Sequence, residues 1–164
     1  MLKLLTQPIN RSLKLLFSVI FLTSVVALIL SFFVEFFSNL TPCLLCNIQR
    51  GIYGLLGFSS LSGIVCSFTN LSKRLCQICL MLLLIVASYH TLVQFGILRD
   101  RCRTETQVES IEAYKKSLEA SKASSGCADS AWKILNVPIS VWNGLLALSF
   151  LALFSQFRLA FNRR

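Results

Sequence analysis

Four apolar stretches of bilayer length, at residues 15–34, 52–68, 75–98 and 137–157, constrain this chain more than any other feature. A helix rises 1.5 Å per residue, so about 20 apolar residues cross the roughly 30 Å hydrocarbon core. The second stretch is near the short end of that range. Inside lipid every backbone N–H and C=O must find its partner within the segment, which makes each stretch a helix. The expected fold is therefore an all-α membrane protein. It is a four-helix transmembrane bundle, one domain over residues 1–164, with extracytoplasmic loops at about 35–51 and 99–136. Only 14% of residues are charged, against roughly a quarter in soluble domains. The net charge of +9 does not point to nucleic acid, because the basic residues cluster beside the apolar stretches and no nucleic-acid motif is present.

Residues 1–14 carry Lys3, Arg11 and Lys14, as the start of a signal peptide would. The apolar stretch that follows is long enough to span, and Ser31 lacks a small-x-small cleavage pattern, so a retained first helix is expected. Four spans put both termini on one side. Lys and Arg number eight on that side (positions 3, 11, 14, 73, 74, 158, 163, 164) and eight on the other (50, 99, 101, 103, 115, 116, 122, 133). The first eight lie in short segments close to span ends, where the positive-inside rule acts most strongly, which places the termini in the cytoplasm. Residues 69–74 read as a tight polar turn. Phe36 and Phe37 suit an interface, as do Trp132 and Trp142 around the entry to the last span. Gly51, Gly54 and Gly57 would let another helix approach the second one closely. In the long loop, Val108, Ile111, Tyr114 and Leu118 recur at helical spacing. They form either a short amphipathic helix on the membrane surface or a loop with accidental periodicity. Residues 121–126, Ser-Lys-Ala-Ser-Ser-Gly, read as a flexible stretch before Cys127.

The chemistry-bearing residues gather in the extracytoplasmic connections. Pro42-Cys43-Leu44-Leu45-Cys46 puts two thiols three residues apart, and Arg50 follows four residues later. A Cys-x-x-Cys pair closes and reopens a small disulfide ring by thiolate exchange. A helix starting at this point would lower its thiol pKa values through the N-terminal dipole. Cys102 and Cys127 lie 25 residues apart, with Arg101 and Arg103 flanking the first. Such a pair is either a structural bridge or a site of exchange with a partner protein. Four loop cysteines on one side suit two disulfides in an oxidising compartment. Two coupled pairs would make a relay, which needs an electron sink. No Gly-x-Gly-x-x-Gly and no Cys-x-x-Cys-His is present. A lipid-soluble quinone needs only an apolar cleft and one or two polar groups. Arg50 would stabilise charge at a quinone carbonyl or would simply anchor its helix. His90, the only histidine, is either a functional group facing the bundle interior or a packing histidine; counted back from Cys102 it lies two or three turns inside the outer surface. A second Cys-x-x-Cys, Cys76 and Cys79, falls near the cytoplasmic face. About 30 Å of bilayer separates it from the first, so one ion cannot bind both pairs and no metal site is expected. Cys66, Cys76 and Cys79 read as reduced helix residues.

These features together resemble the DsbB-type disulfide-bond formation proteins of bacteria. The shared pattern is four spans, Pro-Cys-x-x-Cys with Gln49-Arg50 opening the second helix, and the separated Cys102 and Cys127. It also includes Trp132, Val137-Pro138 and Trp142 before the last span. The resemblance implies a thiol:quinone oxidoreductase of the bacterial inner membrane. In that picture a Cys102–Cys127 disulfide takes electrons from a periplasmic thioredoxin-fold (DsbA-like) thiol oxidase, with Cys102 forming the mixed disulfide. Electrons then pass to Cys43–Cys46, with Cys46 nearest a ubiquinone or menaquinone. Arg50 and His90 match the family's quinone-site arginine and third-helix histidine. Asn47-Ile48 depart from the commoner aromatic-containing stretch, and Cys76–Cys79 has no counterpart in the pattern. A vitamin K epoxide reductase-like protein fits less well, because this dithiol opens the second span and does not sit near the end of a late one. Outside the redox class, the alternative is a membrane scaffold or transporter subunit with structural disulfides, in which Cys43–Cys46 is a static clip.

Overall fold

The computed structural model describes residues 2–38, 42–66, 69–99, 127 and 133–162. The expected amphipathic helix at 108–118, the stretch at 121–126, Cys102 and Trp132 lie outside them. The described residues form four helices: α1 (Leu2–Ser38), α2 (Leu44–Val65), α3 (Thr69–Gln94) and α4 (Ile139–Asn162). A two-residue hairpin, β1 (Lys133–Ile134) and β2 (Val137–Pro138), leads into α4.

Helix boundaries follow the strongest local breakers, and four expected boundaries move for that reason. Nothing in residues 35–38 breaks a helix, so α1 runs through Glu35, Phe36 and Phe37, and Pro42 precedes the next start. The expected turn at 69–74 is helical, the opening of α3. At its other end α3 stops at Gln94, short of Leu98. Gly96 sits at φ +72, its N–H bonds Val93 O at 3.0 Å, and Ile97 N–H bonds Leu92 O at 3.0 Å. That is a Schellman cap, which glycine at the left-handed position makes inexpensive. Before α4, Leu135 (φ 53) and Asn136 (φ 63) form the two-residue loop that pairs Lys133 with Pro138 and Ile134 with Val137. Positive φ at both central positions matches the right-handed strand twist, and Asn accepts it readily. Residues 137–138 are therefore strand, and the last helix starts two residues later than its apolar stretch.

The helices pack in chain order, α1 on α2, α2 on α3 and α3 on α4. Phe17 and Phe154, with ring centroids 6.3 Å apart, bring α1 to α4 and close the bundle. Its core joins Phe17 and Ile20 to Leu56, Leu80, Leu83 and Phe154. Cys76 and Cys79 pack into it as free thiols. Leu22, Ile29, Phe58 and Ile85 instead point outward and are more than half exposed. A bundle apolar on its outer face as well as inside is solvated by lipid. Among the described helices three are long and apolar enough to cross a membrane, over Ser12–Phe37, Asn70–Gln94 and Ile139–Gln156. The remaining one, α2, has the length but is diluted by Asn47, Gln49 and Arg50 at its start and by glycine and serine further on. Its Ser59 and Ser60 hydroxyls donate back to Leu55 O and Leu56 O at 2.7 Å each, so these polar groups are satisfied within the helix.

The glycines of α2 act differently from expectation. A Cβ at Gly51 or Gly54 would meet nothing within 4 Å, and one at Gly57 would make ordinary contact with Ser24 Cβ at 3.5 Å. The close approach is at Gly63, where an added Cβ would lie 2.8 Å from Phe17 Cε2. Glycine spacing marks a helix face without saying which member touches the neighbour.

Candidate redox site

The dithiol is built by the start of α2. Pro42 precedes the helix, and Cys43, extended at φ −66 and ψ 165, is the N-cap. Its Sγ accepts Cys46 N–H at 3.3 Å, and Asn47 N–H donates to its carbonyl at 3.1 Å. A sulfur thus does the work usually left to a Ser or Asp oxygen. The Cys-x-x-Cys spacing makes Cys46 the third helical residue and puts its Sγ 2.9 Å from that of Cys43. Both are free thiols.

His90 completes the cluster from α3. Its Nε2 lies 3.9 Å from Cys43 Sγ, and the ring is 4% exposed. Because α3 ends at Gln94, His90 sits about one turn from the helix end, level with the dithiol and shallower than the sequence count placed it. The bond from the Cys46 thiol pulls the Cys43 thiol below its ordinary value, with His90 and the Cys46 N–H adding to it against the opposing cost of burial. The same bond, with burial, pushes Cys46 up. Both shifts put the shared proton on Cys46 and the negative charge on the N-cap sulfur, where the helix dipole also favours it.

Cys127 is fully buried and disulfide-bonded, its partner lying outside the described residues. It packs in one cluster with Cys43, Leu45 and Val93, and Cys46 and Tyr89 border that cluster. The fold thus brings together Cys43, Cys46, His90 and Cys127, residues separated by up to 84 positions in sequence.

Arg50 faces the other way, onto α1. Nε donates to Ser31 Oγ at 2.6 Å, Nη2 to Ser31 O at 3.0 Å and Nη1 to Glu35. The guanidinium lies 4.7 Å over the Phe32 ring. Glu35 is the only acidic residue before Asp100, which was the signal available for this pairing. A second network, unread in the sequence, joins α2 to α4. Tyr53 Oη donates to Asn143 Oδ1 at 3.0 Å, and Asn143 Nδ2 donates to Gln49 Oε1 at 3.1 Å. A lone amide in an apolar span such as Asn143 signals such a bond. Between α3 and α4, Thr91 Oγ1 donates to Ser140 Oγ at 3.0 Å.

A family model described as disulfide bond formation protein DsbB matches residues 13–156. The chain belongs to the DsbB family. The matched stretch takes in every cysteine and His90. A protein of Nitrosospira multiformis described as disulfide bond formation protein B is 23% identical over 128 residues, covering 74% of this chain and 76% of that one. No solved structure matches. Family and apolar helices together make this DsbB-family chain a membrane oxidoreductase of disulfide bond formation.

Proposed function

We propose that the protein is a thiol:quinone oxidoreductase that reoxidises a periplasmic thioredoxin-fold thiol oxidase through two cysteine pairs. The observation that carries this reading is the packing of a disulfide-bonded cysteine, Cys127, against the free thiol of Cys43. Cys102 is proposed as the partner of Cys127, since the five other cysteines are free thiols. All four helices, α2 included, cross the inner membrane, with the termini cytoplasmic and the redox cysteines at the periplasmic face.

The exchange steps use the chain's own groups. A thiolate of the reduced partner attacks Cys102, forming a mixed disulfide and releasing Cys127 as a thiolate. Cys127 then attacks the Cys43–Cys46 disulfide at Cys43, its neighbour in the cluster, and Cys46 leaves. The partner's second thiol then attacks its own mixed disulfide and frees Cys102, and Cys102 attacks Cys127 to re-form their bridge and release Cys43; two electrons and two protons have then moved from the partner to the Cys43–Cys46 pair. Cys43 ionises readily at the N-cap, and His90 Nε2 is placed to hold the proton that leaves it.

A quinone fits the residues present. Among the described residues Arg50 uses three of its five N–H groups on α1, which leaves two for a carbonyl oxygen. Phe32, beneath the guanidinium, also lines an apolar groove of about 600 Å³ with Val25, Leu28, Ile29, Phe33 and Phe36. Bound quinone supplies the acceptor for the two electrons and two protons that leave as the Cys43–Cys46 disulfide re-forms. The test is quinone reduction by the purified protein with a reduced thioredoxin-fold donor, followed by absorbance. Turnover that disappears in Cys43→Ser, Cys46→Ser, Cys102→Ser and Cys127→Ser is expected. Full activity in any folded variant of these four would defeat the reading.

A further inference from the structure

The reduced dithiol has a third metal-ligand atom beside it that the relay does not require as a ligand. Cys43 Sγ, Cys46 Sγ and a ring nitrogen of His90 all lie within 4.8 Å of one another. The imidazole is 4% exposed, and its Nδ1 has no hydrogen-bond partner among the described residues. Among the described residues the ring's only hydrogen-bond contact is therefore the one from Nε2 to the N-cap sulfur. We infer that Cys43, Cys46 and His90 form a binding site for a thiophilic divalent cation, zinc above all, open only when the pair is reduced.

The donor set fits that ion. Two thiolates and an imidazole with a fourth position open to water is a zinc arrangement, with Zn–S near 2.3 Å and Zn–N near 2.0–2.1 Å. Tetrahedral angles at those lengths need the sulfurs about 3.8 Å apart and each sulfur about 3.6 Å from the nitrogen. The sulfurs are now 2.9 Å apart, and Cys43 Sγ is 3.9 Å from Nε2. Opening the pair by about 0.9 Å and drawing the imidazole in, by a few tenths toward Cys43 and by up to about 1.2 Å toward Cys46, reaches the required geometry. Side-chain rotation at Cys46 opens the sulfurs, and a small shift of the His90 ring brings its nitrogen in. The third ligand comes not from the second Cys-x-x-Cys pair, across the bilayer, but from α3, folded alongside.

Binding moves no electrons. The cation takes the two sulfurs and the imidazole, and the thiol protons pass to solvent. While it stays, neither sulfur is free to form the disulfide, so the ion holds the pair reduced. Zinc in the extracytoplasmic space thus acts as a reversible brake on disulfide supply, released when the ion leaves.

The test is a cobalt titration of the full-length, dithiothreitol-free reduced protein in detergent, with Co²⁺ as the spectroscopic stand-in and Zn²⁺ as competitor. It requires neither quinone nor a protein donor, so its outcome is independent of the proposed relay. A one-to-one tetrahedral cobalt spectrum, bleached by zinc, is expected from reduced protein and not from the disulfide form. Cys43→Ser and Cys46→Ser should abolish it. His90→Ala and His90→Asn should weaken binding by about tenfold or more, while Cys76→Ser, Cys79→Ser and Cys102→Ser should leave it in place. Circular dichroism of each variant checks folding. A folded reduced protein without the spectrum would overturn the inference. So would an affinity unchanged in both His90 variants, or a spectrum lost with Cys76 or Cys79.

Discussion

Gly63→Ala tests the packing that seats the site-bearing helix α2 on α1. The new methyl would lie 2.8, 2.9 and 3.1 Å from Phe17 Cε2, Cδ2 and Cγ, where carbon pairs prefer roughly 3.5–4.0 Å. All three atoms belong to one rigid ring edge, so the ring must retreat by about 0.6 Å to restore contact. Phe17 is fully buried and backed by Phe154, so the displacement passes on to α4. Overpacking of this kind costs about 1–3 kcal/mol. Alanine's better helix propensity offsets little here, because a membrane helix is already formed before the bundle packs. Equilibrium unfolding in detergent measures the difference. Gly51→Ala and Gly54→Ala, where a Cβ meets nothing within 4 Å, should stay within about 0.5 kcal/mol of the parent. Phe17→Leu should recover part of the loss in the Gly63→Ala background. If Gly63→Ala proves as stable as Gly54→Ala, α2 does not meet α1 as described.

Three further outcomes follow from the polar contacts. Asn143→Leu strands the Tyr53 hydroxyl and the Gln49 carbonyl and should destabilise the bundle by about 1–3 kcal/mol in the same assay, more than Tyr53→Phe. The lowered Cys43 thiol predicts that one thiolate per reduced protein persists below neutral pH, while the raised Cys46 stays protonated into alkaline solution. Since His90 helps to lower Cys43, His90→Ala should move that step to higher pH, read by ultraviolet thiolate absorbance in a Cys66→Ser background. Glu35→Gln removes the charged partner of Arg50. Glu35 is 38% exposed, so the stability loss should be no more than about 1 kcal/mol. Arg50→Met should raise the quinone KM by more than Glu35→Gln does, by steady-state kinetics.

Apolar length was enough to find the four helices, because bilayer thickness fixes it. Their ends were not legible from hydropathy, because local backbone chemistry decided them: the Gly96 cap ended α3 early and the Asn136 turn delayed α4. Cys43, Cys46 and Arg50 stood out because they share one short motif. The depth of His90 was misjudged, since it depended on where α3 stopped. That Cys127 packs on Cys43 lies in tertiary contact between distant segments, which no spacing encodes. Arg50 was recognised while its partners were not. Ser31 and Glu35 face it only because α1 continues past residue 34, into what read as loop.

The central claim is that electrons cross from one cysteine pair to the other where Cys127 meets Cys43. The most direct measurement is peptide mapping of the Cys46→Ser, Cys102→Ser double variant after mild oxidation in the membrane. A Cys43–Cys127 disulfide in most molecules is the expected product. A reciprocal variant, Cys43→Ser with Cys102→Ser, should form a Cys46–Cys127 bridge far more slowly. The lower thiol pKa of Cys43 acts in the same direction, because the thiolate is the reacting form. Faster bridging to Cys46, or none to either cysteine, would contradict the account.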